Sequence, residues 1–446
     1  MAEQTLIASS VRIDGARYFD QSVMAAETER LWRRSWLLAG LASDLDQPGN
    51  TLVFDIGPDS IVVARDEAGL HAYHNVCTHR GTRLLDAGLS TQSVIRCPYH
   101  AWCYNLDGAL RSAPNADTFT DGLPTERLRL KPVQVAEWQG FVFVNLDPAA
   151  APLADFLGTV LERMAPYPID RMVLLEDQTA EVDCNWKAII DNFSELYHVD
   201  YIHPQHKSFV DCTGATDELY EHGHTGLHVA GFTTDRRYPV PDEPTEYQAA
   251  QLAALGLDPK DFNGRVPEIA DAIAAAKRAQ SGKQGYDYTS YSDEQLTRVY
   301  QYNLFPNIIL SGTPEGLWMM RSRPHPTDPR KSLLDKWTLT LLPDPQFGGA
   351  SQGMHTLHAT SDGSKAVQAE RVTHDRFHYS EVLAGRKSLT ITVDQDLSLL
   401  AKVQAGAESA GFGEAWLSER EVRVAHFHQE LNRVLAAGAM PAPGEG

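Results

Sequence analysis

Asn185-Trp-Lys-Ala-Ile-Ile-Asp-Asn-Phe-Ser-Glu-Leu-Tyr-His-Val-Asp-Tyr-Ile-His203 carries two histidines, His198 and His203, with Glu195 three positions before the first. Two neutral imidazoles and one carboxylate from elsewhere make the facial triad that holds non-haem Fe(II) and leaves positions open for O2. The histidines are five positions apart, so one regular helix would point them about 140° apart. Pro204 resolves the conflict. Proline drives the preceding residue out of the α region, so the helix is expected to end near His203 and the side chain to swing back. A helix with ordinary surface histidines fits this stretch equally well, and the rest of the chain decides.

With 446 residues the chain exceeds one ordinary core, and two domains are expected. Its 43% hydrophobic and 22% charged content is that of a globular protein. A net charge of −20 argues against nucleic-acid or acidic-membrane surfaces, which need basic patches. No apolar run approaches a membrane span, and Met1-Ala-Glu-Gln-Thr shows no basic and apolar leader. The five cysteines fit a reducing cytoplasm better than a disulfide framework.

Residues 20–37 read as an amphipathic helix. Strand signals follow: Thr51 to Ile56 and Ser60 to Arg65 around Gly57-Pro-Asp, then Leu70 to His74, Ser93 to Arg96, Ala101 to Asn105 and Phe141 to Asn145. Asp107-Gly108 marks a tight hairpin turn. An all-β domain is placed over 38–150, after an N-terminal helical segment 1–37, with Pro148-Ala-Ala-Ala-Pro-Leu as linker and a second domain over 151–446. In that domain Arg236 to Asp293 reads as a polar excursion with two short helices. Strands resume at Asn307 to Leu310, Leu317 to Arg323 and Leu333 to Leu342. Helices close the chain over Thr392 to Val403 and Leu417 to Leu435, and Pro441 to Gly446 reads as disordered.

Within the β domain lie Cys77-Thr-His79 and, seventeen residues on, Cys97-Pro-Tyr-His100. A structural zinc could use two Cys and two His, but its cysteines typically pair with each other and its histidines likewise. A Rieske [2Fe–2S] centre needs two thiolates on one iron and two imidazoles on the other. Mixed Cys-plus-His modules supply that split. Cys103, Cys184 and Cys212 are expected to pack, and Tyr197 and Trp186 are expected in the core.

Cys77-x-His79 with Cys97-Pro-Tyr-His100-Ala-Trp102, followed by Asn192-x-x-Glu195-x-Tyr-His198-x4-His203, resembles the large (α) subunit of the Rieske non-haem iron oxygenases over nearly the whole chain. The resemblance implies an α+β chain, with a Rieske β domain before a helix-grip catalytic domain in which an antiparallel sheet wraps a long helix. It implies that the third iron ligand comes from Val393-Asp394-Gln395-Asp396, with Asp396 favoured over Asp394 and Gln395 in place of the usual acidic neighbour. An aspartate at a solvated helix start would look the same. It further implies that Glu195 bridges a histidine ligand to a Rieske histidine of a neighbouring subunit in a head-to-tail trimer, with Asn192 on the same face.

The expected function is that of a terminal oxygenase. NAD(P)H electrons arrive through a separate reductase, with or without a ferredoxin, and O2 is the co-substrate. No G-x-G-x-x-G follows a strand here, so the nicotinamide is expected elsewhere. The substrate is expected to be a small aromatic or other hydrophobic molecule, a carboxylate first of all, in a pocket built from Phe209 to Phe232, the excursion, and Leu304 to Met320. Leu227, Val229, Phe232, Ile308, Leu310, Trp318 and Met320 are its candidate walls. A quaternary ammonium compound is the alternative. A Rieske electron carrier needs only residues 38–150, and a zinc-stabilised ligand-binding protein would lack cluster absorbance.

Overall fold

The computed structural model describes residues 11–283, 286–341 and 371–437. The chain divides into two compact units: Ala25–Phe156 with Val434–Gly446, and Met1–Met24 with Leu157–Arg433. The N-terminal segment is therefore split. It is helical over Gln21–Glu27, opens into a π turn over Thr28–Trp32, and turns extended before Leu37. Asn145 Nδ2 holds the Arg34 carbonyl and Trp36 Nε1 the Ala151 carbonyl, so the segment beyond the π turn is tied into the β unit. The expected linker is fixed as well, since Gln134 Nε2 donates to the carbonyls of Asp147 and Ala150.

The β unit contains β1 (Leu37–Leu41), β2 (Asn50–Ile56), β3 (Asp59–Asp66), β4 (Gly69–His74), β5 (Gly88–Thr91), β6 (Ile95–Arg96), β7 (Cys103–Tyr104), β8 (Leu110–Ser112), β9 (Pro132–Trp138) and β10 (Phe141–Asn145). Among the described residues one sheet runs β1-β10-β9-β4-β3-β2-β5, and a small one runs β6-β7-β8. Ile56 pairs with Asp59 around a two-residue turn at Gly57, whose φ is +53°. The Val-, Ile- and Phe-rich strands β2, β3 and β10 fit a pleated, buried surface. The edge strands β1 and β5, and β9 beside β10, have no counterpart in the sequence expectations. Pro132 and the exposed β5 dilute the strand signal there.

The second unit carries β11 (Val173–Val182), β12 (Val210–Leu219), β13 (Thr225–Gly231), β14 (Arg298–Leu304), β15 (Ile308–Thr313), β16 (Gly316–Pro324), β17 (Ser332–Thr340) and β18 (Asp375–His378). They form one sheet in the order β12-β13-β14-β15-β16-β17-β11-β18, antiparallel except for the β11–β18 pair. A short helix, α1 (Trp186–Asn192), packs on β16 and β17 and against a long one, α2 (Ile391–Ala407). Ser322 Oγ on β16 donates to the Trp186 carbonyl. Ile13 accepts a backbone hydrogen bond from Ala415, and Val11 and Ile13 pack with Val424 and Ala425. The polar excursion forms helices over Glu246–Ala254 and Ile269–Gln280 around its own apolar cluster. Pro441 to Gly446 and Leu342 lie outside the described residues.

Candidate metal centres and substrate cavity

The two Cys-His modules occupy loops of the same backbone design. Cys77 N donates to Thr82 O and Gly81 N to Cys77 O; Cys97 N donates to Trp102 O and Ala101 N to Cys97 O. The fourth residue after each cysteine is left-handed, Gly81 at φ +76° and Ala101 at +58°. Each loop thereby presents one buried thiol and one imidazole. The rings of His79 and His100 stand 4.8 Å apart, and Trp102 stacks on His79 at 4.7 Å. Both histidine Nδ1 atoms are buried without a hydrogen-bond partner among the described residues. Buried polar atoms are rarely left so unless something absent satisfies them. Two free thiols and two orphaned imidazole nitrogens fit a [2Fe–2S] cluster with split ligation.

Tyr104 reinforces the thiol side: its hydroxyl lies 3.2 Å from Cys77 Sγ and accepts from Thr78 N. Burial raises the pKa of Cys77. Burial pushes Cys97 the same way, but the backbone N–H groups of Tyr99 and His100 together with hydrogen bonds to Cys77 and Thr82 outweigh it and leave that thiol lowered. A lowered thiol is the better metal ligand.

In the second unit the Asn185–His203 stretch is not one helix. α1 ends at Asn192, and Val199–Ile202 makes one further turn. Between them, Gln301 Nε2 and Asn303 Nδ2 capture the Phe193 carbonyl, and Ser194 Oγ donates to Ile190 O. Glu195 therefore does not sit one helical turn below His198 but in the break. There its Oε2 accepts from the backbone N–H groups of Tyr197 and His198, and its Oε1 from His198 Nδ1. His203 leaves the α region at φ −120°, ψ 62°, as Pro204 requires.

His198 Nε2 and His203 Nε2 lie 3.2 and 2.8 Å from Asp396 Oδ1, and the three ligand atoms fall within 4.8 Å of one another. Asp394 goes elsewhere: its carboxylate accepts from Leu389 N at 2.9 Å and from Ser388 Oγ. The outer nitrogen of each ring is also held. Glu195 takes His198 Nδ1, and Gln395 Oε1 takes His203 Nδ1 at 2.8 Å and Gln205 Nε2 at 2.8 Å. Such outer acceptors fix the tautomer, leaving Nε2 free for a metal. Burial opposes a charge on His198, yet contacts with Asp396 and Glu195 raise its pKa to about 9. Burial would raise Asp396, but the two histidines hold it low. Two imidazoles and a carboxylate converging in this way fit a divalent iron.

A cavity of about 190 Å³ opens on this triad. Asn192, the last residue of α1, and Glu195 both line it. Leu227, Val229, Trp318 and Met320 line it as expected, whereas Phe232, Ile308 and Leu310 do not. Strand alternation explains Leu310, because Ser311 beside it faces the cavity. The excursion contributes Tyr247, a residue that composition alone did not single out. Trp186 is buried, but Tyr197 is 48% exposed, with Arg420 over its ring at 5.7 Å. The helical break turns Tyr197 outward from the expected core.

Residues 169–437 match the family of ring hydroxylating alpha subunits (catalytic domain), and residues 35–134 match the Rieske [2Fe-2S] domain family. The chain is 35% identical over 189 residues to the glycine betaine monooxygenase oxygenase subunit of Chromohalobacter salexigens, covering 42% of each. It thus spans less than half the length of that curated relative. In fold it is similar to a quaternary ammonium Rieske monooxygenase solved with L-carnitine (TM-score 0.64, 20% identity, 95% of each chain). It is equally similar to naphthalene 1,2-dioxygenase from Rhodococcus sp. bound to indole (TM-score 0.65, 18% identity, 98% of each chain). With the catalytic-domain match covering 169–437 of 446 residues, the chain belongs to the ring-hydroxylating alpha-subunit family, the Rieske oxygenases that pair a [2Fe–2S] cluster with a mononuclear iron.

Proposed function

We propose that the protein is the terminal oxygenase of a multi-component system that hydroxylates a small organic molecule bearing an N-methylated ammonium group. Substrate C–H, O2, two electrons and two protons give C–OH and water. When bound, the cluster supplies electrons singly and the mononuclear iron activates O2. Cys77, Cys97, His79 and His100 are the proposed cluster ligands, and His198, His203 and Asp396 the iron ligands. Glu195 and Gln395 keep each imidazole in the tautomer that presents Nε2.

The observation that carries the substrate class is the composition of the cavity wall. No Lys or Arg is among the described residues that line it, while Phe209, Tyr247 and Trp318 are. An aromatic carboxylate, the first expectation, would meet no counter-charge there, and neither would the carboxylate of glycine betaine or carnitine, so the preference rests on the cationic end of the molecule. Aromatic faces suit an alkylammonium through cation–π attraction, and two of the three similar proteins named above, the glycine betaine and the quaternary ammonium monooxygenases, act on such compounds. The apolar wall (Leu227, Val229, Met320) favours a neutral aromatic as the second reading. Similarity of fold does not choose between them.

The electron source is a separate NAD(P)H-dependent reductase, with or without a ferredoxin, and the assembly is a head-to-tail homotrimer in which Glu195 of one copy meets a Rieske histidine of the next. Exposed Tyr99 beside His100, and exposed Tyr197 and Tyr201 around Glu195, support such a contact. Cys103, Cys184 and Cys212 are free beside the two proposed cluster thiols, which suits a reducing compartment.

Hydroxylation of a carbon next to the ammonium nitrogen yields a carbinol that collapses to amine and aldehyde. With a generic reductase and NADH, O2 uptake should match aldehyde release on glycine betaine, carnitine or choline. Uptake confined to naphthalene or indole would replace the ammonium reading with the aromatic one.

A further inference from the structure

The two histidines of the triad stand on very little helix. Val199–Ile202 is a single turn between the break after Asn192 and Pro204, closed by Ile202 N on His198 O and His203 N on Val199 O. One turn is far below the length at which a helix is stable by itself, yet Nε2 of both rings reaches Asp396. Contacts from outside must hold the turn. Asp200, buried and placed between the two histidines, receives a fork: Arg237 Nη1 donates to its Oδ2 at 2.5 Å and Nη2 to its Oδ1 at 2.9 Å. The same guanidinium grips Asp235, Nε on Oδ1 at 2.9 Å and Nη2 on Oδ2 at 2.8 Å. Asp235 is buried and is itself fixed by Thr213 N and Oγ1 on β12. The backbone around it runs along the chain that leaves His203. Asp235 N donates to Lys207 O, Thr233 N to Phe209 O, and Thr234 Oγ1 to Ser208 O. A planar fork that meets a carboxylate with two parallel bonds fixes orientation as well as distance, and a lysine cannot reproduce it.

We propose that Asp200 and Arg237 are positioning residues of the mononuclear iron site. The Arg237 fork ties the turn that carries His198 and His203 to the buried Asp235, and thereby holds both Nε2 atoms at the spacing a metal demands. The two residues act through the backbone of the turn, which sets where the imidazoles point. Ligand atoms have to fall within about 0.2 Å of bonding distance, so a small rotation of a one-turn helix is felt first as weaker iron binding. This inference rests on the triad being the iron site proposed above, and not on any substrate class.

The test is anaerobic titration of the full chain with Fe(II) against a competing chelator, alongside Rieske absorbance and Tm. Arg237→Lys keeps the charge and removes the fork; Asp200→Asn keeps the shape and removes the charge. Each is expected to raise the dissociation constant of the mononuclear iron about 10- to 100-fold with Rieske absorbance unchanged, and to broaden the EPR signal of that iron's nitric oxide adduct. The double variant should lose little more than either single one, since both remove the same interaction. Arg236→Gln is the control. Arg236 pairs with Asp211 on β12 at 2.7 Å and not with the turn, so iron affinity should stay as it was. Should Arg237→Lys not fold, Asp200→Asn decides. Unchanged iron affinity in the variants, with or without a lower Tm, marks the fork as purely structural and overturns the inference. An equal loss in Arg236→Gln overturns it too. If the unsubstituted chain takes up no mononuclear iron, the iron-site reading falls and this inference with it; if it does and the variants match it, this inference alone falls.

Discussion

At the scale of single residues, Gln395 has the least obvious role in the metal site. Its carbonyl oxygen accepts from His203 Nδ1, as Glu195 does from His198 Nδ1, so the two rings are locked by different acceptors, one neutral and one charged. Gln395→Leu should weaken mononuclear iron binding by about 10- to 100-fold in a competition titration while Rieske absorbance is unchanged. The two aspartates nearby separate cleanly. Asp396→Ala should remove the mononuclear iron. Asp394→Ala should keep it and instead lower stability by about 1 kcal/mol, because Asp394, inside α2, accepts from Leu389 N and Ser388 Oγ just ahead of the helix. Denaturant titration and iron analysis of both variants check this, and iron loss in Asp394→Ala alone would reverse the assignment.

At the scale of elements, the cluster loops depend on one backbone position each. A side chain at Gly81 would meet nothing within 4 Å, so Gly81→Ala tests the left-handed conformation alone. It should cost about 1 kcal/mol and be read as a lower Tm with the cluster retained. Ala101 already bears that strain, and Ala101→Gly should not lower Tm. In the large sheet, burial would raise Asp335, but Arg323 and Arg321 hold it below the ordinary carboxylate range. A carboxylate depressed on folding contributes stability above its unfolded pKa, about 4, and loses it as pH falls through the folded value. Asp335→Asn should therefore flatten the acid limb of the stability curve. It should also cost about 3–5 kcal/mol near neutrality, where the buried Arg321 loses a counter-charge. An acid limb as steep as that of the unsubstituted protein would move the titrating group elsewhere.

At the scale of the whole molecule, two metal sites in two compact units imply three irons per chain, two in the cluster and one in the triad. Iron analysis with His203→Ala should fall from three to two with an unaltered Rieske EPR signal. A drop to one or none would mean that the units do not load independently. How much of this was written in the sequence follows from what each feature depends on. Cys77, His79, Cys97 and His100, the proposed cluster ligands, stood out as candidates because metal ligation restricts residue type and short spacing, and Pro204 announced the exit of His203 from the helix because the proline ring acts on its immediate neighbour. The core strands β2, β3, β10, β16 and β17 were legible from their apolar, β-branched composition, whereas β1, β5, β9, β11, β12 and β13 were not. Their residues become strand by pairing with distant partners, as Val173 does with Thr340. The choice of Asp396 over Asp394 had only a resemblance behind it, because both stand on one helix and contacts nearly two hundred residues away decide which carboxylate meets the histidines. The break between Asn192 and Val199, which moves Glu195 off the helix and Tyr197 to the surface, is imposed by Gln301 and Asn303 on β14. Local sequence determined which chemistry the chain carries. Only the tertiary structure decided which carboxylate lies against the two histidines and that Tyr247, from a polar excursion, borders the cavity, because those contacts join residues far apart in the chain.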